Sequence, residues 1–377
     1  MLDDQAENKV GLILSGGGAR AAYQVGVLRA IANVLPKESK NPFHVISGTS
    51  AGALNAVSLA SHAPRFRTAV RLLEYVWKGI SSEQIYHPNA RNFMGSISRL
   101  LLPLLDSKKS DSPVALLNSA PLREFLTRVI SLKRIQRHID MGLLDAVSVT
   151  ASNYSSGESV SFFQAMKGLE DWEGPHRKGM RAQLTLDHLM ASSAIPILFP
   201  AVRIGTQFFG DGAIRQLAPT STALHLGARR VLAIGVSGNK RAVATEEENP
   251  IQPSLSQILG HMLNSAFVDT LDNDLEFLRH MNEVLPYVPP KALKSLNIRL
   301  NEVDLLEISP SKELNVMACE YYDELPENMR RYIREDSSGT LLSLLLFEPG
   351  FCNALWRLGY GDAMEQESRI IEFFHAE

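Results

Sequence analysis

The chain is expected to be an α/β protein built on a largely parallel sheet, and three stretches carry that expectation. Val10–Leu14 is a short apolar run that ends in Ser15-Gly16-Gly17-Gly18, after which Ala22, Val25, Leu28 and Ile31 recur on one helical face. Phe43–Ile46 reads as a second short strand and passes through another glycine-bearing turn into a helix over Ala51–Ala60. Val231–Val236 is a fully apolar run of the kind buried on both faces of a parallel sheet. Strand, glycine turn and helix repeated in succession make a βαβα opening.

The remaining elements follow in order. From Arg65 to Arg137 the pattern is helical but irregular, as an insertion between sheet strands would be. Ala146–Ala151 and Ser159–Gln164 flank a turn at 153–158 and read as a hairpin, and Ile204–Phe209 reads as a tight hairpin leading into Gly210-Asp211-Gly212-Ala213. After Ser237 the composition shifts through Lys240-Arg241 and Glu246-Glu247-Glu248 to Pro250. The expected organisation is a domain over 9–237, a linker over 238–250 and a mainly helical extension over 251–377, with a strand-like run at Asp304–Ile308.

Composition narrows the function classes. With 377 residues, 45% of them hydrophobic and 21% charged, the chain has the make-up of a globular protein with a sizeable core. A formal net charge of -3 supplies no broad basic field, which argues against nucleic acid as the main partner. Cys319 and Cys352 lack metal-type spacing and are too few to staple the chain. The acidic start, Met1 to Glu7, is unlike a secretory signal, so a cytoplasmic location is expected. Without an unbroken apolar run of roughly 18 residues, any membrane contact would be peripheral.

The motifs point to acyl transfer. Gly48-Thr49-Ser50-Ala51-Gly52, placed between strand and helix, fits a nucleophile elbow in which small neighbours let the serine oxygen project from a strained turn. The bland alternative is an ordinary turn with Ser50 capping the helix. Ser15-Gly16-Gly17-Gly18-Ala19-Arg20-Ala21 lacks the Gly-Lys-Ser/Thr ending of a P-loop and the third glycine and distal acid of a dinucleotide site. Backbone N–H groups there would instead meet a reaction oxyanion, with Arg20 adding positive charge. A serine also needs a base. Asp211, held between Gly210 and Gly212, is one candidate; His225 or His261, as the last member of a Ser-Asp-His order, is the other.

Taken together, the glycine turn, the serine elbow and Asp211-Gly212-Ala213 resemble the patatin-like phospholipases, as do Ala191-Ser192-Ser193-Ala194-Ile195-Pro196 and Gly227-Ala228-Arg229-Arg230-Val231. The resemblance covers about Lys9 to Ser237. It implies a three-layer α/β/α fold and a Ser-Asp dyad acting on ester bonds of phospholipids or related acyl lipids, without metal or cofactor. Ser50 would be the nucleophile, Asp211 the base, and Gly16, Gly17 and Gly18 with Arg20 the oxyanion turn; Gly48, Gly52, Gly212 and Ala213 would shape the two turns. Ala21 stands where the family usually has a third glycine, so a methyl group must fit a tight contact. Leu100–Leu105 with Lys108 and Lys109 would be either a buried helix end, the reading preferred, or a membrane-facing flap. The extension, with Tyr321-Tyr322, Trp356 and Leu341–Phe347, is expected to pack on the hydrolase and shape its acyl pocket.

Overall fold

The computed structural model describes residues 9–88, 115–238, 255–289, 301–330 and 339–375, together with 291, 293 and 333. The leucine run 100–105 and most of the expected linker, 239–250, lie outside the described residues.

Ten strands form the main sheet: β1 (Val10–Leu14), β2 (Val45–Thr49), β3 (Ala146–Asn153), β4 (Ser159–Ala165), β5 (Trp172–Gly174), β6 (Arg177–Arg181), β7 (Val202–Ile204), β8 (Gln207–Asp211), β9 (Arg230–Ile234) and β10 (Asp304–Ile308). Their order is β10-β9-β1-β2-β3-β4-β6-β5, with β8 joining β3 and β7 joining β8. The centre, β10 through β3, is parallel throughout.

Successive side chains of a strand face opposite sides, so a doubly covered sheet needs apolar residues at every position. In β1, Leu12 and Leu14 enter one core while Ile13 enters the other. The first core is roofed by helices α1 (Ala22–Val34), α2 (Ala51–Ala60) and α3 (Phe66–Lys78). Beyond α3 come α4 (Ala120–Val129), α5 (Lys133–Asp140) and α6 (Leu186–Ser192), and the second core is closed by α7 (Pro219–His225) together with Leu271, Leu275 and Leu278. This is a three-layer α/β/α arrangement, as expected from the sequence.

The later residues are helical, with α8 (Leu255–Asn264), a π-helical turn at Ser265–Asp269, α9 (Thr270–Val284), α10 (Leu314–Cys319), α11 (Gly339–Leu345), α12 (Pro349–Met364) and α13 (Glu367–His375). They are woven into the first part of the chain. Strand β10 pairs along its whole length with β9, and α12 lies on α1 at backbone contact distance. A Cβ at Gly26 would stand 2.1 Å from the Trp356 carbonyl oxygen, and one at Gly359 would stand 2.1 Å from that of Tyr23, so glycine on both helices permits the approach.

Register sets up the site. Strand β2 pairs with β3 as far as Thr49↔Thr150, and β8 then takes over the same edge of β3, placing Asp211 opposite Ala151. The residue that follows β2 and the residue that ends β8 are thereby brought side by side.

Candidate active site

Those two residues are Ser50 and Asp211. Ser50 Oγ donates to Asp211 Oδ2 at 2.6 Å, and both side chains are buried. Ser50 has φ 54° and ψ -128°, a strained setting for a residue with a side chain, at the junction of β2 and α2. The strain is held from several sides. An added Cβ at Gly52 would meet the Leu14 carbonyl oxygen at 2.3 Å, and one at Gly48 would meet the Gly52 carbonyl oxygen at 2.5 Å, so the elbow is pressed against the end of β1. Ser192 Oγ accepts the Ser50 amide at 2.8 Å.

Asp211 is fixed as tightly. Its Oδ1 accepts the Ala213 amide at 2.9 Å, its own amide donates to the Ala194 carbonyl at 2.9 Å, and its carbonyl accepts Ser152 Oγ at 2.7 Å. Gly212 runs so close to Thr150 that a Cβ would stand 2.1 Å from that carbonyl oxygen. Burial pushes the Asp211 carboxyl up to about 7, while the Ser50 hydroxyl and Ala213 amide hold it down. A carboxylate so placed is a far stronger base than one in water.

The glycine turn lies against Ser50. A Cβ at Gly16 would be 3.1 Å from Ser50 Cβ and 3.0 Å from the ring of Phe267, so the turn is wedged between the elbow and the π-helical turn. Gly18, at φ 54°, leads into the single 3-10 turn that precedes α1. Ala21 is fully buried in an ordinary helical conformation, and its methyl group is accommodated. The Arg20 guanidinium is directed to the C-terminal residues, donating to Ser343 Oγ at 2.9 Å and Asn315 Oδ1 at 2.5 Å. Burial lowers its pKa to about 10, and Glu313 opposes that.

The histidines lie elsewhere. His225 stacks on Trp172 at 4.2 Å between centroids, with Nδ1 2.7 Å from the Ser221 carbonyl oxygen, and His261 is exposed on α8. Neither is needed to bridge Ser50 and Asp211, which already touch.

A pocket lined mostly by apolar side chains opens beside Ser50. It is walled by α2, α3 and α4 and by Leu344, Leu345 and Phe347 at and just beyond α11. Sequence reasoning expected the C-terminal extension to shape a pocket but read Leu341–Phe347 as its core, and it missed the helical walls and the anchoring hydroxyl of Ser192. The helical walls signal themselves only as ordinary amphipathicity, which does not distinguish a pocket wall from core, whereas Ser192 lies in the Ala191–Pro196 stretch already singled out.

The family model for patatin-like phospholipase matches residues 12–224, more than half of the chain. The chain belongs to the patatin-like phospholipase family. Over 215 residues it is 33% identical to a cGAMP-activated phospholipase of Pseudomonas aeruginosa, a match covering 57% of this chain and 55% of that one. It is 37% identical over 75 residues to patatin-like phospholipase domain-containing protein 7 of Mus musculus, covering 20% and 5% of the two chains. A third match, 46% identical over 54 residues, is to lysophospholipase nte1 of Aspergillus terreus and covers 14% and 3%. The match thus spans about half the length of the Pseudomonas protein and small fractions of the other two. Among solved structures, VipD from Legionella pneumophila superposes with a TM-score of 0.34 at 14% identity, covering 90% of this chain and 67% of that one.

Proposed function

We propose that the protein is a serine hydrolase of lipid acyl esters, with Ser50 as nucleophile and Asp211 as its base. The observation that carries the reading is the direct 2.6 Å hydrogen bond from Ser50 Oγ to a buried carboxylate, at the mouth of an apolar pocket. The phospholipase names of the relatives support the substrate class.

In this reading Ser50 Oγ attacks the acyl carbonyl carbon while its proton passes to Asp211. Backbone N–H groups of the Gly16–Gly18 turn face the developing oxyanion. The bond to the alcohol breaks as Asp211 returns the proton to the leaving oxygen, giving an acyl-enzyme on Ser50. Water then attacks the same carbon, its proton passes to Asp211, and the fatty acid and free Ser50 are released. Arg20 belongs to the scheme as the residue that ties the turn to the C-terminal segment. Contact with a lipid surface is proposed as peripheral; no helix among the described residues is long and apolar enough to cross a membrane.

The test is hydrolysis of a lipid panel by wild type, Ser50→Ala, Asp211→Asn, His225→Ala and His261→Ala, beside labelling by a fluorophosphonate. The first two substitutions are expected to abolish turnover and the two histidine substitutions to leave it near wild type. A wild type that neither turns over esters nor labels at Ser50 would defeat the reading, and loss on either histidine substitution with the fold intact would replace the dyad by a triad.

A further inference from the structure

The apolar pocket has a direction. Ala51, Leu54, Asn55 and Ser58 line it from α2, a spacing that puts all four on one face, so the pocket runs along that helix away from Ser50. From Ser50 to Ser58 is eight residues, about 12 Å of helix. A short turn joins α2 to α3, and Trp77 Nε1 donates to Asn55 Oδ1 at 2.8 Å, which fixes Trp77 at mid-depth. Leu73, one turn before Trp77 on this returning helix, therefore lies about 6 Å deeper. Val129 and Ile130 come from the end of α4, whose successor α5 is tied to the end of α2 by His138 Nδ1 at 2.8 Å from the Ala60 carbonyl oxygen. Leu73, Ser58, Val129 and Ile130 thus meet at the far end.

The amide of Asn55 offers no free polar atom to a ligand. Asn55, though in the lining, gives Nδ2 to the Ala21 carbonyl and to Gln24 Oε1, and its Oδ1 is taken by Trp77. The opposite wall is Leu344, Leu345 and Phe347, the last stacked on Trp77 at 6.1 Å between centroids. Apart from Ser50, Asn55, Ser58 and the unpartnered hydroxyl of Ser193, the slot is walled by apolar side chains, and an alkyl chain would lie in it with its carbonyl at Ser50 and its methyl end outward along α2.

We infer that this slot selects acyl chains by length, and that Ser58, half-buried at its far end, is the residue that sets the limit. The inference rests on the acyl-hydrolase reading above. In an all-staggered chain, 12 Å corresponds to on the order of ten carbons. The small Ser58 side chain leaves the end of the slot open to chains of that length; a larger side chain there would fill the space of the terminal methylenes, each worth about 0.8 kcal/mol of burial, or roughly fourfold in binding. Ser58 neither touches the reacting atoms nor hydrogen-bonds to any residue that does, so its effect is confined to specificity.

The test compares p-nitrophenyl esters from butanoyl to hexadecanoyl on wild type, Ser58→Leu and Ser58→Trp, with Ser50→Ala as the inactive control. Leucine is expected to shift the preferred chain shorter by a few carbons and tryptophan further. For tryptophan, kcat/KM for dodecanoyl should drop at least about tenfold relative to butanoyl, whose turnover stays near wild type. An unchanged length profile in both variants overturns the inference. So does an equal loss on every ester with the unfolding midpoint retained, because the pocket would then be a route to Ser50 instead of a chain slot. Failure of the parent reading looks different: wild type would match Ser50→Ala on all esters.

Discussion

Ser192 Oγ accepts the amide of Ser50 at 2.8 Å and donates to the Thr150 carbonyl at 2.6 Å. One hydroxyl therefore ties the backbone of Ser50 to the last paired position of β2 and β3, where Thr49 faces Thr150. Ser192→Ala would leave a buried N–H and a buried C=O without that partner, at about 1–3 kcal/mol. It would also free the elbow to relax toward an unstrained backbone. The expected result is a lower unfolding midpoint and a kcat for a soluble ester reduced on the order of tenfold or more, with KM little changed. Thermal unfolding beside steady-state kinetics measures both, and an unaltered kcat would mean that glycine packing alone holds the elbow.

Burial pushes Asp211 up to about 7, and a general base works only when deprotonated. Activity on a neutral ester should therefore rise as pH passes through about 7 and level off above it. A pH series of kcat/KM locates the midpoint. A profile already flat from about pH 5 upward would show that Asp211 is ionised well below the range its burial dictates.

The same burial acts on stability in the opposite sense. The native state holds the Asp211 proton more tightly than the unfolded chain, whose carboxyl titrates near 3.8. The stability this proton contributes is fully present below that value and is lost as pH rises through about 7, a difference on the order of 4 kcal/mol. Asp211→Asn removes the buried charge while keeping hydrogen-bonding atoms for Ser50 and Ala213. Its unfolding midpoint is expected to exceed that of wild type at about pH 8 by more than at about pH 5, in an inactive protein. An equal difference at the two pH values would contradict the shift.

Much of the site was legible because its chemistry sits in short contiguous motifs. The helix over Ala51–Ala60 and the strand over Asp304–Ile308 appear where the sequence put them, and Ser50 and Asp211 stand in contact. The strand expected over Phe43–Ile46 is instead Val45–Thr49. Ser47, Gly48 and Thr49 look like turn residues, but parallel pairing on both sides with β1 and β3 decides the conformation of a central strand. Strands β5 and β6 went unread because Trp172–Gly174 and Arg177–Arg181 lack apolar alternation; β6 owes its form to the edge of β4, and β5 to the edge of β6. The pocket was mostly hidden, since Leu73 and Val129 are ordinary helix residues until α3 and α4 face each other across it.

Arg20 offers the sharpest test of how far the C-terminal residues serve the site. Its guanidinium is buried on Ser343 and Asn315, while two residues earlier Gly18 lies under the Leu344 carbonyl, where a Cβ would stand 2.1 Å from the oxygen. The glycine turn and α11 are thus one packed unit, and Arg20 is the fork that joins them. Lysine keeps the charge but cannot reproduce two divergent N–H bonds from a planar group. If Arg20 acts by tying the turn, Arg20→Lys and Arg20→Ala should both lower the unfolding midpoint and both reduce kcat. Asn315→Ala should reduce kcat in the same direction, with an effect that is not additive to Arg20→Ala because the two share one hydrogen bond. If its charge acted on the oxyanion directly, lysine would retain most of the activity that alanine loses, and Asn315→Ala would leave kcat unchanged. Kinetics on the three single variants and the Arg20/Asn315 double variant separate the two roles.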